Sequence, residues 1–329
     1  EEVIVDQDTQ EGIGIINKWN DSLKTFRYIN RTSLLHEDFP NIRIDLSKVK
    51  MNDDEHKNFI ASGVLDAKET FEIEIEVIGV NKSFDERKLI AIEKQLKQVI
   101  MFILISIQGT PFPVEYRRMN SVNIQYMKLL KFKPDRTTGK YRKMAKNFIG
   151  PSSLTLQPIN LVNDPEQLLS NICIQREHYC VTDKADGERR LLFIGEKDLR
   201  LYFINSNFDI TFTGLMLNPE HANYANTLID GELINQDKHG RPISLFAAFD
   251  VYLVNGVDKR ALMFKDTTNE TEDRYSILKR VMRDLSEACK ENDSRLQLIQ
   301  KRFYFSNPSD KYSLFAANRQ CFHMLKEHV

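Results

Sequence analysis

Cysteine is scarce, and its spacing is uninformative. The four cysteines of this 329-residue chain, Cys173, Cys180, Cys289 and Cys321, form no Cys-x-x-Cys pair. Cys173 and Cys180 stand too far apart for a zinc-knuckle pair, and no second pair completes a site, so reduced thiols in an intracellular protein are expected. Long apolar runs are missing too. The longest, Val99 to Ile105, falls far below the ~20 residues that span a bilayer, and no membrane partner is expected. No signal peptide, internal repeat or low-complexity tract is visible. The chain opens on Glu1-Glu2 without a Met, which suggests a fragment. A net excess of either charge is absent as well. At −1 overall no global field recruits nucleic acid, and any basic surface must be local.

What remains is a globular composition, 41% hydrophobic and 28% charged, in a chain long enough for two ordinary domains. Polar and apolar residues alternate along Phe26–Arg31, Ile42–Leu46 and Thr70–Val77, which predicts strands. Ser83-Phe-Asp-Glu86 is a capping box, and Leu89, Ile92, Leu96, Val99, Ile100 and Ile103 form the apolar stripe of a long helix behind it. In residues 111–150, Pro111, Pro113, Pro134 and Gly139 interrupt regular structure. Arg117, Arg118, Lys128, Lys131, Lys133, Arg136, Lys140, Arg142, Lys143 and Lys146 meet only Glu115 and Asp135 there. This stretch reads as a basic linker between a first domain (1–110) and a second (151–329). It is either a solvated connector or a salt-sensitive track for an RNA backbone.

In the second domain Asp164-Pro165 looks like an N-cap and N1 pair. Strands are expected near 178–184, 189–195, 199–205, 227–234 and 245–254, with a charged helix from Glu272 to about Lys290. The class is α+β with a mainly antiparallel sheet. Two strings sit at strand edges, Lys184-Ala-Asp-Gly-Glu-Arg189 and Asp230-Gly-Glu-Leu233. A lone Lys-x-Asp-Gly is weak and fits a tight turn with Gly187 at positive φ and a solvated lysine. A nucleophilic role needs more. With a reference pKa of ~10.4 a lysine is almost wholly charged near neutrality, so burial, a neighbouring cation such as Arg189 or a divalent ion on Glu232 must lower it. Asp186 would then bind a sugar hydroxyl or orient the lysine.

These strings resemble the motifs of covalent nucleotidyltransferases, the messenger-RNA capping guanylyltransferases and ATP-dependent polynucleotide ligases. Lys184, Asp186, Gly187 and Arg189 match the family's Lys-x-Asp-Gly-x-Arg motif. Asp230, Gly231 and Glu232 match its Asp-Gly-Glu motif, and Phe249 and Asp250 its aromatic-Asp strand. The resemblance covers residues 150–329. It implies that Lys184 attacks the α-phosphate of a nucleoside triphosphate, releases pyrophosphate and passes the nucleotide to an RNA 5′ diphosphate. Phe249 would stack on the base, with Phe246 as the fallback on the opposite strand face. The family's later Glu/Asp-Gly motif, Lys-x-Lys strand and OB-fold lid find no match after Asp250, so a truncated transferase domain is expected.

Thr70–Val77 places Glu72, Glu74 and Glu76 on one strand face, with neighbouring carboxylates ~7 Å apart. The pattern is either a wet amphipathic edge strand or a Mg²⁺ or Mn²⁺ site on the inner wall of a barrel. Arg27 and Arg31 share one strand face, and Arg43 and Asp45 another, so that basic groups opposite a metal would grip a polyphosphate. This half resembles the tunnel-type, metal-dependent RNA triphosphatases, with Glu72–Glu76 as the C-terminal Glu-x-Glu strand of a β-barrel and Arg27, Arg31 and Arg43 on its basic strands. The two halves in this order resemble the bifunctional capping enzymes of large cytoplasmic DNA viruses. That implies triphosphate-ended RNA and GTP as substrates, a methyltransferase segment or subunit as a partner, and a place in the host cytoplasm or virion. A ligase using ATP, or a non-catalytic RNA-end or partner-binding fragment, are the competing readings.

Overall fold

The three alternating stretches of the N-terminal part are strands in the structure, a computed structural model that describes residues 5–79, 86–142, 144–161, 174, 179–266, 271–289, 294–305 and 313–327. By its internal packing the chain divides into Glu1–Ile103 and Leu104–Val329.

The first unit opens with α1 (Gln10–Lys18), whose N-cap Thr9 accepts a hydrogen bond from the Gly12 N–H. Strands β1 (Lys24–Leu35), β2 (Ile42–His56) and β3 (Thr70–Val77) follow as an antiparallel sheet in the order β1-β2-β3. The described residues form this open sheet rather than a closed barrel. Register puts Ser33 and Glu74 on either side of Asp45, and Arg31 and Glu72 on either side of Ser47. The polar face is buried only along its centre: Asp45 is 2% exposed, whereas the arginines and glutamates around it are a third or more exposed. Burial there is tolerable because the charges are paired across the strands. Helix α2 (Glu86–Gln108) follows as expected, although Ser83 of the capping box lies outside the described residues. Its buried stripe is narrower than the spacing implied: Ile92 and Val99 are buried, whereas Leu89 and Ile100 are exposed.

In the second unit the stretch expected as a linker contains α3 (Tyr116–Leu129), with Val122, Asn123, Tyr126 and Met127 buried. Its lysines and arginines crowd the exposed side and hide an ordinary amphipathic helix. Strands β4 (Cys180–Val181), β5 (Glu188–Ile194), β6 (Arg200–Ile204), β7 (Ile210–Met216), β8 (Leu228–Gln236), β9 (Pro242–Val254) and β10 (Val257–Asp258) precede α4 (Arg274–Ala288). After α4 come β11 (Gln297–Gln300), β12 (Tyr304–Phe305) and α5 (Ser313–Glu327). The main sheet runs β10-β9-β8-β5-β6-β7, antiparallel throughout, with β11 added in parallel to β9. Strand β4 pairs with β12 in a separate ribbon and is shorter than expected; β7 was not foreseen. The Asp164-Pro165 cap lies outside the described residues.

The sheet carries a core on each face. On one, Ile277, Leu278, Val281, Met282 and Leu285 of α4 pack with Leu192, Phe203, Ile229 and Phe246. On the other, Val122, Tyr126 and Met127 of α3 pack with Leu191, Phe193, Tyr202 and Tyr252. Each such fully buried side chain contributes about 1.5–3 kcal/mol. Like β5 and β6, strand β9 contributes side chains to both cores, and its register against β8 shifts at Leu228/Ile229 and at Asp230/Gly231. The shifts leave Tyr252 and Phe249 as extra residues, and each bulge reverses which face the following side chains meet. The α+β class and antiparallel sheet therefore hold.

Candidate active site

The Asp-Gly-Glu string lies in the middle of β8, between β5 and β9, and the Lys-x-Asp-Gly string enters β5. Arg189 faces Glu232 in backbone register, but its side chain reaches Asp230 instead. It donates from Nε to Asp230 Oδ1 at 3.1 Å and from Nη2 to Oδ2 at 2.5 Å, and from Nη1 to the Pro151 carbonyl at 2.7 Å. Asp230 is fully buried and also accepts from the Tyr252 hydroxyl. Burial pushes the Asp230 carboxyl up, against the pull of Arg189 and Tyr252, and Asp230 in turn holds the Arg189 guanidinium above its ordinary pKa. Burial, reinforced by the charge of Asp230, raises Tyr252 as well. A bidentate pair of this kind fixes both orientation and charge.

Two rings lie near the guanidinium, Phe148 and Phe249, each with its centroid 5.8 Å from Arg189 Cζ. The segment bearing Phe148 is moored from below. The Tyr126 hydroxyl donates to the Asn147 carbonyl at 2.8 Å and accepts from the Ile149 N–H at 3.2 Å. Burial raises this phenol to about 12. Asp250 does not point at a free site: it accepts two bonds from Arg274, at 2.9 and 3.2 Å. Phe246 is fully buried against Phe203, so it cannot stack on a ligand, and Phe249 alone remains.

Glycine is required here for close approach rather than for turn geometry. A Cβ on Gly231 would lie 2.3 Å from the Phe246 ring, and one on Gly187 would lie 2.5 Å from the Leu233 carbonyl. Gly187 is not at positive φ, contrary to the tight-turn reading. Its N–H donates to Glu232 Oε1 at 2.9 Å. The other oxygen, Oε2, lies 4.0 Å from Lys301 Nζ, a side chain only 10% exposed.

Lys184 departs most from expectation. Its side chain is 85% exposed and donates to Asp186 Oδ1 at 2.6 Å, with Asp186 itself 93% exposed. That hydrogen bond and charge raise the amine above the ordinary lysine value, where a lowered one was expected, with a further upward push from Glu232. The same pair lowers the Asp186 carboxyl. The Arg189 side chain is paired with Asp230 rather than with the Lys184–Asp186 pair. The fold therefore brings Gly187, Arg189, Asp230 and Glu232 together, with Phe249 beside them. It leaves Lys184 and Asp186 on an exposed segment between β4 and β5.

In the first unit Arg27, Arg31, Arg43, Glu72, Glu74 and Glu76 share one sheet face. The arginines are interleaved with the carboxylates rather than opposed to them. Arg27 pairs with Glu72 and Arg43 with Glu76, while Arg31 pairs with Glu74 at 2.5 Å and with Asp45 at 3.3 Å. A hydrogen bond from Ser33, aided by Arg43 and Arg31, lowers the Asp45 carboxyl even against its burial. Among the described residues no three His, Cys, Asp or Glu side chains group closely enough to hold a metal ion. These three glutamates, each taken up by an arginine, do not by themselves fit a divalent cation.

Tyr252, Phe148, Arg274 and Lys301 belong to the site but lie outside the residues that the motifs single out. Tyr252 carries a weak signal, since it lies two residues after the motif acid Asp250 on the same strand, and Arg274 carries none, since the fold brings it to Asp250 from 24 residues away. Lys301 carries none, because only the parallel pairing of β11 brings it to Glu232. Among the described residues no helix is long and apolar enough to cross a membrane.

The profile of the family described as mRNA capping enzyme, catalytic domain, matches residues 106–323. The chain is also 27% identical over 257 residues to a probable mRNA-capping enzyme of Acanthamoeba polyphaga mimivirus, covering 78% of this chain and 17% of that protein. The chain thus spans well under a quarter of the relative it matches.

Proposed function

The chain belongs to the mRNA capping enzyme family through its catalytic domain, and from that premise we propose that it transfers GMP from GTP to RNA through Lys184. The observation that carries the reading is the joining of both motif strings in one sheet, with Arg189 locked to Asp230 and Gly187 bonded to Glu232. In the proposed reaction Lys184 Nζ, freed of its proton, forms a bond to the α-phosphorus of GTP as the bond to the β-phosphate oxygen breaks and pyrophosphate leaves. An oxygen of the RNA 5′ diphosphate then attacks the same phosphorus, the P–N bond breaks, and the amine is restored.

The lysine rests as a charged amine paired with Asp186, a poor nucleophile. Productive binding must separate that pair. Asp186 turns to the ribose, and Lys184 loses solvent as the triphosphate covers it. Arg189, fixed by its pair with Asp230, offers positive charge near the phosphates, and Phe249 a face for the guanine. Glu232 would hold a divalent ion there, its Oε1 bonded to the Gly187 N–H and its Oε2 4.0 Å from Lys301, whose charge the ion would have to displace. Such an ion would neutralise phosphate charge.

For the first unit we propose polyphosphate binding on the shared face of Arg27, Arg31 and Arg43, in support of γ-phosphate removal from triphosphate-ended RNA. Metal-dependent hydrolysis there needs donors beyond the three glutamates, and no step is derived through it. Glu74→Ala in the intact protein should abolish γ-phosphate release while guanylylation continues; unchanged release overturns this part. For the transferase, incubation with α-labelled GTP or ATP decides the class. Denaturation-resistant label from GTP alone supports capping. Label from ATP alone marks a ligase, and label from neither marks a non-catalytic fragment.

A further inference from the structure

Asn123 of α3 is 5% exposed, and its side-chain oxygen has no hydrogen-bond partner among the described residues. Buried polar atoms left unpaired are rare and call for an explanation. This one lines a cavity of about 600 Å³ formed by the start of α3 and the β6–β7 hairpin, with Tyr116, Asn120, Arg190, Asn205 and Thr211 in its wall. That volume lies within the range of small-ligand sites. A second cavity of about 550 Å³ adjoins it, shares Arg190 and Asn205, and includes Phe148 and Arg189. Asn123 and Arg189 therefore line neighbouring cavities that meet at Arg190 and Asn205.

We propose that the Asn123 cavity seats one nucleobase of the acceptor RNA, a few nucleotides from the 5′ end engaged at the transferase site. The proposal rests on the reading of that site as an RNA guanylyltransferase. A primary amide presents an acceptor and a donor in one plane, the complement of a base edge, and unstacked bases of single strands are read in this way. Tyr116, 63% exposed at the first turn of α3, supplies a ring on which a base can stack. Arg190 stands where the two cavities meet and offers a guanidinium to the intervening phosphate, in competition with its partner Glu188. An apolar ligand would leave the Asn123 oxygen unpaired, and an anionic one would face Asp209 in the same wall.

The test uses 5′-diphosphate RNA carrying 4-thiouridine at one of the first five positions, cross-linked to the full protein and mapped by peptide mass. Adducts from one or two of these positions should fall within residues 116–123 or 205–211. Adducts confined to other segments, or none from any position, overturn the proposal. A second readout is the RNA KM of GMP transfer. Tyr116→Ala, at an exposed position that does not threaten folding, and Asn123→Ala should each raise it roughly tenfold. An unchanged KM in both folded variants overturns the proposal. If the wild-type protein takes up no GMP, the transferase reading fails, but cross-linking needs no turnover and still judges the cavity.

Discussion

The two units place similar charges in opposite ways. In Glu1–Ile103 three arginines and four acids lie side by side on one sheet face, partly open to water, and neutralise one another in local pairs. In Leu104–Val329 one acid, Asp230, is fully buried and gathers Arg189 and Tyr252 around it, while Lys184 is left outside. The first arrangement is self-contained. The second commits one arginine rigidly and keeps one amine free to move, which suits a residue that must meet a phosphate, form a bond and release it. Charge that is locked orients substrate; charge that is exposed can change its state.

Replacing one member of each arrangement should separate them. Asp230→Asn leaves the Arg189 charge, only 33% exposed, without its counter-ion, and should cost about 3 kcal/mol of unfolding free energy in a denaturant titration. A loss below ~1 kcal/mol would show that Asp230 does not anchor the site. Gly231→Ala drives a methyl into the Phe246 ring and should cost about 2 kcal/mol by overpacking, read in the same titration. Glu74→Gln in the first unit removes one pair between side chains 36% and 48% exposed, and should cost less than about 1 kcal/mol. A larger loss there would mean that the arginine–glutamate face is as cooperative as the Asp230 cluster.

Proton titration sharpens the contrast further. The Asp45 carboxyl is lowered in the folded state, so the stability it lends is present above its unfolded pKa of 3.8 and is lost as pH falls through the folded one. Lys184 is shifted the other way, raised by Asp186. Amine-reactive labelling of Lys184 in the free protein should therefore have its midpoint above that of an ordinary lysine, and Asp186→Asn should bring it down. An unmoved midpoint would mean that the pair does not persist in solution.

How far the sequence revealed this depends on whether the signal was local. The alternation of Thr70–Val77 and the charged stretch from Glu272 to about Lys290 fix their elements within a few residues, and both are as expected. The motif strings on β5 and β8 were legible for the same reason. What was hidden depends on contacts between distant parts of the chain. The bulge that turns Phe249 toward Arg189 has no composition of its own. The basic residues of α3 masked the stripe of Val122, Tyr126 and Met127. The glutamate face could be read from β3, but its interleaving with Arg27, Arg31 and Arg43 is a matter of strand register. Lys184 is raised rather than lowered because it pairs with Asp186 on an exposed segment, a contact the motif's own spacing does not reveal.

The claim on which the rest depends is that Lys184, though exposed at rest, is the residue that bonds to phosphorus. The most direct measurement is peptide mapping by mass spectrometry after incubation of the full protein with GTP and Mg²⁺ or Mn²⁺. GMP should be found on the peptide containing Lys184 and disappear in Lys184→Ala. GMP attached to another residue, or retained by the Lys184→Ala protein, would contradict it.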